Sequence, residues 1–154
     1  MVLVKKKKKI RIISPSSSLS TASLQIINLA TKKLTSMNFE VSFSEYSKEK
    51  NTLGSSSIES RLHDLHEAFL DKNVKLILCA RGGYSSNDLL KKINYKIIKA
   101  NPKPLCGYSD ITVLANAIYK KTKTKTSKSH NKFYKIIKDS ILKSDQTTLK
   151  PERD

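Results

Sequence analysis

The chain has 154 residues, 38% of them apolar, which is enough for one core and too little for two full domains. Its formal charge of +17 comes from 30 basic and 13 acidic side chains and sits mainly at the ends. Residues 1–11 hold six basic and no acidic side chains, residues 120–154 hold eleven and four, and the stretch between has a net charge of only +4. No apolar run approaches the ~20 residues of a membrane span, and Ile10, Ile12 and Ile13 are too few for a secretory h-region. Cys79 and Cys106 share no metal-ligand spacing and read as small core residues of a reducing compartment. The expected location is the cytoplasm.

Lys5 to Lys9 form a run of like charge, followed from Lys9 to Ser14 by a short β-branched strand. The run reads either as a nucleic-acid or anionic-surface patch or as a solvated terminal arm. Neither basic end has the aromatic or arginine interleaving of a nucleic-acid binder, which favours the arm. Ser14-Pro15-Ser16-Ser17-Ser18 is a turn rich in helix-capping acceptors. Leu19, Ala22, Ile26, Ala30, Leu34 and Met37 recur at helical spacing and predict a helix over 19–37. Phe39, Val41 and Phe43 alternate as a second strand, and 44–57 is a polar loop. Ser57 can cap the next helix, whose face is Ile58, Leu62, Leu65 and Phe69. Val74 to Ala80 is apolar apart from Lys75 and predicts a buried parallel strand. The glycine turn Arg81-Gly82-Gly83-Tyr84 leads to a short helix near 87–92, with a further helical turn over 94–100. Asn101-Pro102-Lys103-Pro104 breaks the chain before the strand Leu105-Cys106-Gly107, and Ile111, Leu114, Ala115 and Ile118 mark a last helix.

This alternation predicts an α/β fold: a mostly parallel sheet flanked by helices on both faces. The expected organisation is a basic arm over 1–9, an α/β domain over 10–120, and a basic tail over 121–154, weakly helical around 132–143 and without a core of its own. Right-handed crossovers bring the strand ends to one edge, where ligands of such sheets bind. Three turns should meet there: Ser14-Pro15-Ser16, Arg81-Gly82-Gly83-Tyr84 and Tyr108-Ser109-Asp110.

Ser109 stands between a strand end and a helix start, the setting of a nucleophile elbow. It reads equally as an N-cap. Asp110 is either an acid favoured by the helix dipole or the donor of its N–H to an oxyanion. Gly82 and Gly83 serve either a turn that needs positive φ or a close backbone approach to developing charge. Arg81 reads as a surface ion pair ahead of a clamp on a substrate carboxylate. His63 and His66 are three apart on the second helix; no partner converges in sequence to make a metal site, and the pair reads as part of a solvated helix face. His130, in the tail, is poorly placed as a base. No phosphate-cradling glycine loop and no paired carboxylates are present.

Together the quoted motifs resemble a known family, the LD-carboxypeptidases and microcin C immunity proteins, which are cytoplasmic serine peptidases. The matching pieces are Ile12-Ile13-Ser14-Pro15-Ser16, Arg61 with Asp64-Leu65 and Ala68-Phe69, Arg81-Gly82-Gly83-Tyr84 with Leu89-Leu90, Pro102-Lys103, and Gly107-Tyr108-Ser109-Asp110-Ile111-Thr112. The resemblance implies Ser109 as nucleophile, and an oxyanion hole from the Asp110 N–H and one of Gly82 and Gly83. Arg81, Tyr84 and Ser14 are the candidates for substrate contact. It implies no metal or organic cofactor and no membrane. The implied substrate is a small peptide or a peptidyl nucleotide: a murein tetrapeptide that loses its terminal D-amino acid, or an antibiotic amide. In the family a Glu and a His of a second domain complete the triad. No Glu or His here maps to them, so the chain is expected to be a truncated member, inactive alone. A homodimer is left open. The alternative, from another class, is a basic binding protein that contacts nucleic acid or anionic surfaces through its lysine-rich ends.

Overall fold

The computed structural model describes residues 6–124. The first five residues of the arm, and the tail from 125 with its expected helix and His130, lie outside the described residues. Four strands form one parallel sheet in the order β2-β1-β3-β4: β1 (Lys8–Ile13), β2 (Phe39–Phe43), β3 (Val74–Cys79) and β4 (Leu105–Cys106). Among the described residues the α-helices are α1 (Leu24–Ser36), α2 (Ile58–Leu70), α3 (Tyr95–Ala100) and α4 (Ile111–Thr122). The sheet with helices on both faces is the architecture the alternation predicts.

Strand alternation divides the core in two. Ile10 and Ile12 of β1 point with Leu76, Leu78 and Cys106 toward Leu34 of α1. Ile13, Ile77, Cys79 and Leu105 point the other way, into a larger cluster with Leu65, Ala68 and Phe69 of α2, Ile98 of α3, and Ile111, Leu114 and Ile118 of α4. The pairing of β1 with β3 shifts register between Lys9↔Val74 and Ile10↔Leu76. The extra residue is Lys75, which is exposed. A bulge of this kind lets one charged residue stay in solvent without moving the apolar set to the wrong face.

Two helix boundaries differ from the sequence reading. The helix expected over 19–37 is interrupted: Leu19–Thr21 is a 3-10 turn capped by Ser18, and α1 starts only at Leu24, capped by Ser23. Two successive serine caps satisfy amide donors and split the helical spacing. The helix expected near 87–92 is a 3-10 turn, Ser86–Leu89. By contrast α2 starts at Ile58 behind a Ser57 cap whose hydroxyl accepts from the Ser60 N–H at 3.0 Å.

The chain leaves β1 for β2 on one side and returns to β3 on the other. The loops after β1 and β3 therefore diverge at a topological switch point, where parallel sheets open a crevice beyond their carboxyl ends.

Candidate active site

Three loops fill that crevice, from β1 (residues 14–18), β3 (80–86) and β4 (107–110). Ser109 has φ +56, in the left-handed region that a non-glycine residue occupies only where its surroundings hold it. The turn leaves Ser109 exposed, and its hydroxyl has no hydrogen-bond partner among the described residues. Its own carbonyl accepts from the Thr112 N–H at 2.9 Å, in the first turn of α4. Ser109 is thus not the N-cap of that helix; Asp110 is, and its side chain makes no capping bond.

The glycine turn lies against this serine. A Cβ added to Gly82 would stand 2.9 Å from the Ser109 Cβ and 3.0 Å from its Oγ. At Gly83, with φ +153, a Cβ would meet the Ser17 Oγ at 2.4 Å and the Ser16 Oγ at 2.6 Å. Only glycine permits either approach. The Gly82 carbonyl accepts from the Ser17 N–H at 3.3 Å, so the first two loops are also joined through backbone.

The Asp110 carboxylate joins the third. Its Oδ2 accepts from the Ser16 hydroxyl at 2.5 Å and from the Ser86 N–H at 2.9 Å. Its carbonyl accepts from the Ser86 hydroxyl at 2.8 Å. Burial opposes the charge, but these donors outweigh it and hold the Asp110 carboxyl below the usual carboxylate range. Beneath the loops lies Arg61 of α2, 4% exposed. Its Nη1 donates to the carbonyls of Pro15 at 3.1 Å and Ser85 at 2.8 Å, and its Nε to that of Ser56 at 3.1 Å.

The remaining candidates are dispersed. Ser14 is buried, and its hydroxyl donates to the Ser47 carbonyl at 2.8 Å. Tyr84 is fully exposed and Arg81 is exposed. The surface ion pair expected of Arg81 does not form among the described residues. His66 is not part of a solvated face: it is partly buried, and its Nε2 accepts from the Asn94 N–H at 3.0 Å at the start of α3. His63 meets the Tyr46 ring edge-on. No group of three His, Cys, Asp or Glu side chains converges among the described residues. No helix among them is long and apolar enough to cross a membrane.

In the sequence Arg61 stands out only through the family resemblance, which does not show its contacts. The signal was available: Arg61 is three residues after Ile58 and four before Leu65, inside an apolar stripe where a cation needs buried acceptors.

Residues 10–129 match the LD-carboxypeptidase N-terminal domain family, peptidase S66. The chain belongs to this family. Among LD-carboxypeptidase relatives, YocD of Bacillus subtilis (strain 168), provisionally named a carboxypeptidase, is 50% identical over 119 residues, which cover 77% of this chain and 37% of YocD. The murein tetrapeptide carboxypeptidase of Pseudomonas aeruginosa is 27% identical over 113 residues, 73% of this chain and 36% of that protein. Among solved structures, an MccF-like protein from Bacillus anthracis str. Ames superposes with a TM-score of 0.78 at 55% identity, over 80% of this chain and 37% of that one. MccF, the microcin C7 self-immunity protein, in complex with aspartyl sulfamoyl adenosine, superposes at 0.74 and 27% identity over the same shares. The chain therefore spans little more than a third of the relatives it matches.

Proposed function

We propose that this chain carries the nucleophilic half of a serine-type amide hydrolase acting on a small peptide or peptidyl-nucleotide amide. Ser109 Oγ attacks the carbonyl. The Asp110 N–H and the N–H of Gly82 or Gly83 receive the oxyanion, and Arg81 and Tyr84 border the entrance. The observation that carries this reading is the exposed, left-handed Ser109 pressed against Gly82. That geometry presents a hydroxyl with backbone donors beside it at a helix start. The names of the relatives support two substrate classes, a murein tetrapeptide and an amide related to the aminoacyl sulfamoyl adenosine bound by MccF, and the tetrapeptide is the one proposed for the first assay.

Among the described residues no proton acceptor stands at Ser109. Neither His63 nor His66 bonds Ser109, and a serine without a base is a poor nucleophile. The acceptor is proposed to come from a separate, second domain, where the family resemblance puts the Glu and the His of the triad. The cytoplasm, with its reduced thiols, suits the free, buried Cys79 and Cys106.

The test is release of the terminal D-amino acid from a murein tetrapeptide, with the purified chain alone and with an added polypeptide bearing the second domain of a relative. Little or no release alone, and Ser109-dependent release with the added domain, is the expected result. Equal release by the Ser109→Ala variant would refute the nucleophile, and Ser109-dependent release by the chain alone would refute an external acceptor.

A further inference from the structure

The Ser85–Ser86 peptide group is held between two opposite charges. Its carbonyl accepts from the Arg61 guanidinium at 2.8 Å, and its N–H donates to the Asp110 carboxylate at 2.9 Å. The same two side chains take the β1 loop one residue apart: Arg61 donates to the Pro15 carbonyl at 3.1 Å, and the Ser16 hydroxyl donates to Asp110 at 2.5 Å. The acidic side chain nearest Arg61 is Asp88, whose Oδ2 is 3.7 Å away and half in solvent. Asp88 is the largest compensating charge on the guanidinium and Asp110 a further one, but an exposed partner at that distance leaves the buried donors to other acceptors. A buried guanidinium needs buried acceptors and a compensating charge, and a peptide group polarised at both ends transmits that charge through two charge-assisted bonds.

The geometry points to a peptide-bridged ion pair, Arg61 to Asp110 through Ser85–Ser86, that positions the Gly82–Gly83 turn against Ser109. Asp110 follows Ser109 directly, so its carboxylate moves with the nucleophile. Through Ser86 and Ser16 it ties both other loops to that residue. Arg61 holds the same loops from below, on the rigid α2. Neither side chain reaches the reacting atoms, so both are positioning residues. Their value rests on the proposed function, because donors to an oxyanion act only when fixed before the charge develops. Asp110 thus has two separable roles, an N–H toward the oxyanion and a carboxylate that sets where the other donor stands.

The experiment is amide hydrogen exchange and backbone chemical shifts on the full chain, wild type against Asp110→Asn, Arg61→Lys, the double variant and Ser16→Ala. In Asp110→Asn the Ser86 amide should exchange about tenfold faster or more, as loss of a charge-assisted bond requires, and the Gly82 and Gly83 amide resonances should move. The double variant should fall short of the sum of the singles. Ser16→Ala, which removes one donor and no charge, should move the same resonances by less, and it decides the matter if Asp110→Asn does not fold. Unmoved Gly82 and Gly83 resonances, or additive single effects, would overturn the bridge. In the cleavage assay with the added second domain, the variants should lower kcat with KM close to wild type. Absence of cleavage by wild type in the presence of that domain would count against the proposed function alone, since the exchange data judge the bridge without turnover.

Discussion

Gly82 and Ser109 are packed so closely that a methyl group on the first would lie 2.9 Å from the Cβ of the second. The contact joins the end of β3 to the end of β4, 27 residues apart in the chain. Its consequence is direct. Gly82 is not among the positive-φ residues, so alanine there is tolerated by the backbone and excluded by the serine alone. Gly82→Ala should destabilise the fold by about 1–3 kcal/mol through overpacking, read as a lower denaturation midpoint. It should also displace Ser109 and abolish any Ser109-dependent cleavage. A variant as stable and as active as wild type would show that the two loops are not in contact.

The left-handed turn at Ser109 has its own energetic signature. A side chain at φ +56 costs roughly 1–2 kcal/mol that glycine escapes, partly offset by the larger unfolded-state entropy of glycine, about 0.5–1 kcal/mol. Ser109→Gly should therefore be more stable than Ser109→Ala, while both lack the hydroxyl. Thermal denaturation of the pair checks this; equal midpoints would mean that the turn relaxes to negative φ.

Lys103 closes the far end of α2. Its Nζ donates to the carbonyls of Ala68 at 3.0 Å and Asp71 at 2.6 Å, where the helix leaves its last acceptors unpaired and its dipole is negative. Lys103→Met keeps the stem and removes the charge. It should cost about 1–2 kcal/mol in urea denaturation and leave the geometry of the Ser109 loops unchanged. A loss under about 0.3 kcal/mol, the error of such a measurement, would mean that water replaces the ammonium.

Acid should weaken the domain through His66. Burial, then repulsion from His63, pushes its pKa below the ordinary 6.5. The imidazole accepts the Asn94 N–H only when Nε2 is unprotonated. The unfolded chain takes up the proton first as pH falls, so the stability from this contact is complete above about 6.5 and declines below it, through the lower native value. His66→Gln, with its amide oxygen as a pH-independent acceptor, should flatten that part of the stability–pH curve. An unchanged slope below pH 6.5 in the variant would assign the acid sensitivity to other groups.

How much of this was legible varies by element. α2 was readable to the residue because Ser57 caps it and Ile58, Leu62 and Leu65 repeat on one face. The start of α1 was not, because Leu19 falls on the helical spacing of Ala22 and Ile26 yet belongs to a separate 3-10 turn. Periodicity counts apolar positions and cannot see that Ser18 and Ser23 both stop the ladder. His66 was misread as solvated for a related reason: its partner, Asn94, is 28 residues away.

The order of strands and helices, the parallel sheet and the three loops at its carboxyl edge were determined by the sequence alone, because hydrophobic period and turn residues act over a few neighbours. The tertiary structure alone decided which atoms those loops exchange. Arg61 reaches the backbone of Pro15 and Ser85, 46 and 24 residues away, and Asp110 reaches Ser16, 94 residues away. A buried cation bound to carbonyl oxygens has no partner side chain to recognise in a sequence, since every residue carries that acceptor and only packing selects which one is near.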